Sequence, residues 1–177
     1  YHMENFKPTA YTLQCVATER QFEDTGWLLE DKECGEPSLV RAIYENKKLQ
    51  LRGEEYGFYT FCDWLPIRRL LQGSAAPVTY RSEGLAKHLG LENLYITLNG
   101  YSPRHGAKMS TCSFKETEAY SVCARIDENE ERTLVVASAG NTARAFAKVC
   151  SDNNIKLLLA VPYDNLDALW FTEPLND

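Results

Sequence analysis

Thr133-Leu134-Val135-Val136-Ala137-Ser138-Ala139-Gly140-Asn141-Thr142 decides the fold. Its first five residues, aliphatic and β-branched, read as a buried strand. Four small residues, Ala137 to Gly140, then turn the chain. From Asn141 the apolar period changes. Ala143, Phe146, Ala147 and Cys150 recur at spacings of three and four, the stripe of a helix buried on one face. Lys156-Leu157-Leu158-Leu159-Ala160-Val161 is the next strand. Upstream, a helix is predicted from Phe114, with Ala119, Val122, Cys123 and Ile126 on one face. Glu116 and Glu118 fall in its first turns, where acids suit the helix dipole. Residues 127–132 form a charged connection. Leu94-Tyr95-Ile96-Thr97-Leu98 is a strand closed by Asn99-Gly100, after a short helix over 84–89 that ends in Gly90. Strand, helix, strand, helix, strand predicts a parallel sheet with right-handed crossovers, an α/β fold.

The N-terminal part has a different texture. Tyr11-Thr12-Leu13-Gln14-Cys15-Val16 alternates as a strand, and Gly26-Trp27-Leu28-Leu29 reads as another after the turn at Glu23-Asp24-Thr25. Ser38 to Tyr44 leans to strand through Val40, Ile43 and Tyr44. Gly57-Phe58-Tyr59-Thr60-Phe61 is predicted extended, Asp63-Trp64-Leu65-Pro66 a turn, and 67–71 one or two helical turns. Gln72-Gly73-Ser74-Ala75-Ala76-Pro77 is linker-like. The chain therefore divides into residues 1–72, with ribbon-like strands and a connecting segment, and residues 73–177, the first part of an α/β core.

Bulk properties exclude several classes. The 177 residues carry a net charge of -6 without a long basic block, which speaks against nucleic acid as a partner. The longest apolar run, 157–162, suits a strand and not a membrane span. Six scattered cysteines, mostly in apolar segments, read as free thiols in a reducing cytoplasm. Cys15 and Cys34 invite a zinc reading, but Thr18 stands where a partner thiol would fall, and two thiolates do not close a tetrahedral site; no metal is expected. Tyr1-His2-Met3 reads as a remnant before a start near Met3.

Two stretches carry chemistry. Lys115 follows Ser113, a plausible N-cap, and Phe114. A lysine attacks a carbonyl only when its amine is partly neutral, and burial and the positive end of a helix both favour that form. The small-residue turn before Asn141 lets backbone amides reach an anion, either a phosphate or a carboxylate, at a helix N-terminus. It serves equally as a tight connection with Asn141 as N-cap. The polar loop over 101–110 holds Arg104, His105 and Lys108, which read as a solvated basic loop or as an attractor for anions.

These residues carry a resemblance. Thr111-Cys112-Ser113-Phe114-Lys115-Glu116 resembles the lysine motif of threonine synthases, and Ser138-Ala139-Gly140-Asn141-Thr142 resembles their Ser-Gly-Asn-Thr loop. Pro77-Val78 and residues 85–96 resemble the segment before the lysine. Cys15 and Cys34 resemble the N-terminal ribbon with its metal ligands eroded. The chain is thus identified with the fold-type II pyridoxal phosphate enzymes, of the three-layer αβα, tryptophan synthase β subunit-like type. Within them it most resembles the cysteate synthases of methanogenic archaea. Threonine synthases have Pro-Thr-Gly before Ser-Phe-Lys and Asp-Arg after it, whereas here Ser110-Thr111-Cys112 and Glu116-Thr117 stand.

The resemblance implies a pyridoxal 5'-phosphate enzyme that replaces the phosphate of O-phosphoserine with sulfite, giving cysteate on a route to coenzyme M. Phosphohomoserine conversion to threonine is the alternative. It assigns Lys115 as the catalytic, cofactor-holding lysine and Asn141 as donor to the cofactor's ring oxygen. Ser138, Ala139, Gly140 and Thr142 bind the substrate carboxylate. It also implies a homo-oligomer, and a second half carrying the cofactor's phosphate loop. The chain is then expected to be a piece of a longer protein and inactive by itself. An inert fragment serving as an interaction module is the competing class.

Overall fold

The computed structural model describes residues 6–176. The reading of Tyr1-His2-Met3 lies outside them. The fold is mixed α/β, built from several small sheets, three α-helices and shorter 3-10 segments among the described residues.

Strands β1 (Tyr11–Cys15), β2 (Gln21–Phe22) and β3 (Val40–Tyr44) form an antiparallel sheet in the order β2-β1-β3. The predicted strand at Gly26-Trp27-Leu28-Leu29 is absent, and two contacts explain why. Trp27 is drawn out by a hydrogen bond from its indole Nε1 to Glu130 (2.9 Å), and the Arg132 guanidinium lies 4.5 Å from its ring. Leu29 is left exposed.

The aromatic segment predicted extended is instead two pieces of 3-10 helix over Glu54–Trp64, joined by a kink at Gly57. Tyr56, Tyr59 and Cys62, three residues apart, face the core. That is the 3-10 period, and burial of this stripe outweighs the strand preference of the aromatics. Gly57 has φ +54, and a Cβ there would lie 2.2 Å from the Ser74 carbonyl oxygen, so no other residue fits the kink. Residues 67–71, predicted helical, run irregularly. The Arg68 N–H bonds outside the segment, to the Ala124 carbonyl (2.9 Å), which no local helix would allow.

Strands β4 (Val78–Arg81) and β5 (Tyr95–Leu98) pair antiparallel around helix α1 (Glu83–Leu89), which ends on Gly90 in the left-handed conformation. The expectation that 94–98 joins a parallel sheet therefore fails in this chain: its hydrogen bonds go to β4. The predicted loop over 101–110 contains a small hairpin, β6 (Tyr101–Ser102) and β7 (Ala107–Lys108). Helix α2 (Lys115–Cys123), strand β8 (Leu134–Ala137), helix α3 (Asn141–Asp152) and strand β9 (Leu157–Ala160) follow the predicted rhythm. β8 and β9 pair in parallel with Leu134 opposite Leu157 and Ala137 opposite Ala160. Among the described residues, parallel pairing is confined to these two strands. Nor is β8 buried on both sides: Leu134 and Val136 pack on the core, while Val135 and Leu158 are exposed.

One core joins the segments. Tyr59, Cys62, Ile67 and Leu71 pack with Ala119, Tyr120, Cys123 and Ala124 of the α2 region and with Ala145, Phe146, Val149 and Cys150 of α3. The Tyr59 and Tyr120 rings meet edge-on at 6.1 Å, and the Tyr120 hydroxyl donates to the Gln72 carbonyl (2.9 Å). Four of the six cysteines are buried; Cys112 is exposed.

The N-terminal sheet is tied to this core through Asp24. Its carboxylate accepts from Arg125 Nε (2.9 Å) and Nη2 (2.8 Å), the Tyr11 hydroxyl (2.7 Å) and the Gly26 N–H (2.8 Å). Arg68 donates to the Asp24 carbonyl. Burial pushes the Asp24 carboxyl up, but Arg125, Tyr11 and Gly26 together hold it below the ordinary carboxylate range. Asp24→Ala leaves the Arg125 guanidinium, only 15% exposed, without its carboxylate, and is expected to cost about 3–5 kcal/mol in a denaturant titration. Because the folded carboxyl is held below its unfolded value, this contribution is complete above the unfolded value of about 4 and is lost as the pH falls through the folded one. Wild type is therefore expected to lose more stability than Asp24→Ala on acidification below about pH 4.

Candidate functional site

The two chemistry-bearing stretches open α2 and α3, and packing brings these helix starts to one end of the molecule. Near the C-terminal ends, Cys123 Sγ and Cys150 Sγ are 3.8 Å apart. One turn earlier, the Lys148 amine lies 6.0 Å from the Tyr120 ring centroid. At the first turns, Thr111, held by Glu116, and Arg144 line one small cleft. Three pairs in the same order mean that the helices run parallel, so their positive ends coincide.

Lys115 is the first residue of α2. Ser113, predicted as N-cap, acts one position further out: Phe114 occupies the cap, and Ser113 Oγ accepts the Lys115 N–H (3.2 Å). The Lys115 side chain is 33% exposed, and its Nζ is paired with Glu118 Oε2 at 2.6 Å, one helical turn on. The amine is therefore half-buried and engaged with a carboxylate.

What fixes the approach to Lys115 is Glu116. It is 1% exposed, and its Oε2 accepts both the Thr111 N–H (3.0 Å) and the Thr111 hydroxyl (2.7 Å). Its Oε1 has no partner. The carboxylate thereby clamps residues 111–116 into a closed loop, with Cys112 at φ +53 inside it. In the sequence Glu116 reads as a first-turn acid suited to the helix dipole and as part of the lysine motif, not as a buried clamp. The signal available was a Thr followed five residues later by Glu across a helix start, a stretched form of the capping-box pattern.

At α3, Gly140 is the N-cap and Asn141 the first helical residue, so Asn141 is not the cap. Ser138 Oγ accepts the Gly140 N–H (3.3 Å) and Arg144 N–H bonds to the Gly140 carbonyl (3.1 Å). A Cβ built on Gly140 meets nothing within 4 Å, so the space before this loop is open. Ala139 and Asn141 are exposed, and Ser138 and Thr142 are half-buried. The first-turn amides of α3 thus lie beside open space at a positive helix end, a geometry suited to an anion.

The other candidates lie apart. His105 stacks on Tyr80 (ring centroids 4.2 Å, 17° between planes), and its Nδ1 meets Ser102 Oγ at 3.0 Å. Arg104 and Lys108 are exposed on the same hairpin. Around the ribbon, hydroxyl donors at Ser38 and Thr18 lower the Cys15 thiol to about 7. Among the described residues no group of three or more His, Cys, Asp or Glu side chains is placed to hold a metal. No helix among them is long and apolar enough to cross a membrane.

No family model and no solved structure matches the chain. Its sequence is 42% identical over 160 residues to the cysteate synthase of Methanocella paludicola, covering 90% of this chain and 36% of that protein. It is 40% identical over 167 residues to the cysteate synthase of Methanosarcina acetivorans (94% and 39%), and 49% identical over 136 residues to that of Methanothrix thermoacetophila (76% and 32%). The chain spans between 32% and 39% of the length of these relatives.

The clamp on the Lys115 loop is testable by Glu116→Ala. Leaving the buried Thr111 N–H without an acceptor is expected to cost about 1–3 kcal/mol. Amide hydrogen exchange over 111–115 is expected to speed up more than exchange in α3.

Proposed function

We propose that this chain, homologous over most of its length to archaeal cysteate synthases, is the N-terminal portion of a pyridoxal phosphate-dependent enzyme. In this reading the enzyme converts O-phosphoserine and sulfite to cysteate and phosphate. The observation that carries the reading is the pairing, at one end of two parallel helices, of a lysine amine with an anion-suited turn, in a chain with that homology. The division at residue 72 belongs to the same reading: residues 1–72 are a ribbon-like lead-in, and 73–177 the first part of a three-layer αβα core of the tryptophan synthase β subunit type. Both parts contribute to the common hydrophobic core.

The residues present fit the cofactor chemically. Lys115 supplies a primary amine at a helix start, Asn141 a neutral amide, and the open space before Gly140 admits a ligand that no protein atom fills. When bound, pyridoxal phosphate supplies an electron sink for the negative charge left when the substrate's α-proton departs. Lys115 would hold the cofactor through Nζ until the substrate amine displaces it; the freed Nζ, released from Glu118, would then take that proton and later return it. Asn141 donates from its amide to the cofactor's ring oxygen. Ser138, Ala139, Gly140 and Thr142 hold the substrate carboxylate through main-chain amides and hydroxyls, aided by the helix dipole. In the net reaction the Cβ–O bond to phosphate breaks and a Cβ–S bond to sulfite forms.

The full-length protein is expected to release phosphate from O-phosphoserine in the presence of sulfite and to form cysteate, with no threonine from phosphohomoserine. Lys115→Ala is expected to reduce turnover by at least three orders of magnitude and to abolish the adduct that borohydride fixes on Lys115 in wild type. Native-rate turnover by Lys115→Ala would overturn the assignment.

A further inference from the structure

Arg144 interrupts the apolar stripe of α3. It is 3% exposed, between Ala143 and Ala145, which are fully buried. Its hydrogen bonds go to neutral acceptors: Nε donates to the Trp170 carbonyl (2.8 Å) and Nη1 to Asn141 Oδ1 (3.1 Å). The guanidinium lies over the Trp170 ring, 3.5 Å from its centroid. Burial pushes its pKa down, against the opposing influence of Cys112 and Glu116. A buried cation is costly to keep, and an alanine or leucine would complete the stripe more cheaply.

What the guanidinium does there follows from donor chemistry. Arginine has five N–H donors and no acceptor. An asparagine amide has one oxygen and one NH2, and in isolation either end can face outward. A donor-only partner, fixed by a ring and a carbonyl, accepts only one of the two orientations. Oδ1 must turn toward Arg144, and Nδ2 must turn away from it. Asn141 is exposed and one turn before Arg144 on the same helix, so the NH2 is the end offered to a ligand.

We propose that Arg144 is a positioning residue for Asn141: braced by Trp170, it locks the Asn141 amide so that Nδ2 is presented as a donor to the cofactor's ring oxygen. This rests on the proposed function above for the identity of the ligand, and on Arg144, Asn141 and Trp170 alone for the lock. It also gives residues 170–175 a role, since Phe171, Thr172 and Glu173 continue past the same small cleft, lined by Thr111 and Arg144.

The test uses the full-length protein labelled with 15N-asparagine. In the cofactor-free protein, Arg144→Met is expected to shift the Asn141 side-chain amide signals and to speed their hydrogen exchange, with little effect on the other asparagines. Arg144→Lys, which keeps a donor, is expected to restore part of the wild-type signal. In cofactor titrations, Arg144→Met is expected to weaken binding about tenfold and to shift the absorption maximum of the bound cofactor. Asn141→Ala is expected to do the same, and the double variant no more than Asn141→Ala alone. Unmoved Asn141 amide signals in Arg144→Met overturn the proposal, as do losses from the two single variants that multiply in the double. A wild-type protein that takes up no cofactor defeats the functional reading instead, while the amide signals still decide whether Arg144 orients Asn141.

Discussion

The contact between α2 and α3 is the constraint from which the site follows. Ala119, Cys123 and Ala124 meet Ala145, Val149 and Cys150, all at most 2% exposed. Small side chains let the helix backbones approach closely, and the two thiols at 3.8 Å mark how near they come. Because the helices run parallel, their N-terminal dipole ends lie side by side. Such an arrangement is mildly repulsive for the helices themselves, and burial of the intervening apolar surface offsets it. The gain is chemical: the unpaired first-turn amides of α3 sit at one end, together with a lysine amine on one helix and an asparagine amide on the other.

Buried charges gather at that same end. Glu116 is 1% exposed and Arg144 is 3% exposed, each on a helix face that is otherwise apolar. Neither position needs a charge to fill its volume. Glu116 closes the loop that leads into Lys115 through Thr111, and Arg144 holds Asn141. Desolvating an ionised side chain is expensive, so charges persist in such places where the orientation they impose on a neighbour matters more than their own burial cost. The apolar core sits one and two turns further along the same helices. Stability and orientation are thus divided along the length of α2 and α3.

The N-terminal sheet contributes by attachment. Asp24 receives Arg125, Tyr11 and the Gly26 N–H at once, so a turn of the N-terminal segment is locked to Arg125, two residues past the end of α2. The aromatic 3-10 segment does the same from the apolar side, through Tyr59 against Tyr120. Movement of the N-terminal segment relative to α2 would break a buried ion pair, which couples it to the helix that presents Lys115.

Local sequence determined much of this. The strand of β8, the small-residue turn, the amphipathic stripe of α3 and the strand of β9 are each encoded in residues close together, so their periods are readable without a partner. The Gly90 stop of α1 and the β1 and β3 strands are equally local. The motifs around Lys115 and Asn141 were legible because their chemistry lies in residue identity and order. Tertiary structure decided the rest. Which strands pair is a non-local choice, so 94–98 went to Val78–Arg81 and not to the parallel pair. The aromatic run over 57–61 became 3-10 because Tyr59 and Cys62 had a core to enter, and Trp27 left its strand for Glu130 a hundred residues away. The spacing of Thr111 and Glu116 hints at a clamp, but neither Glu116 nor Arg144 is marked as buried by its neighbours in sequence. A charged residue at a helical position reads as solvated until the neighbouring helix is in place, and only the α2–α3 packing buries these two at the helix starts.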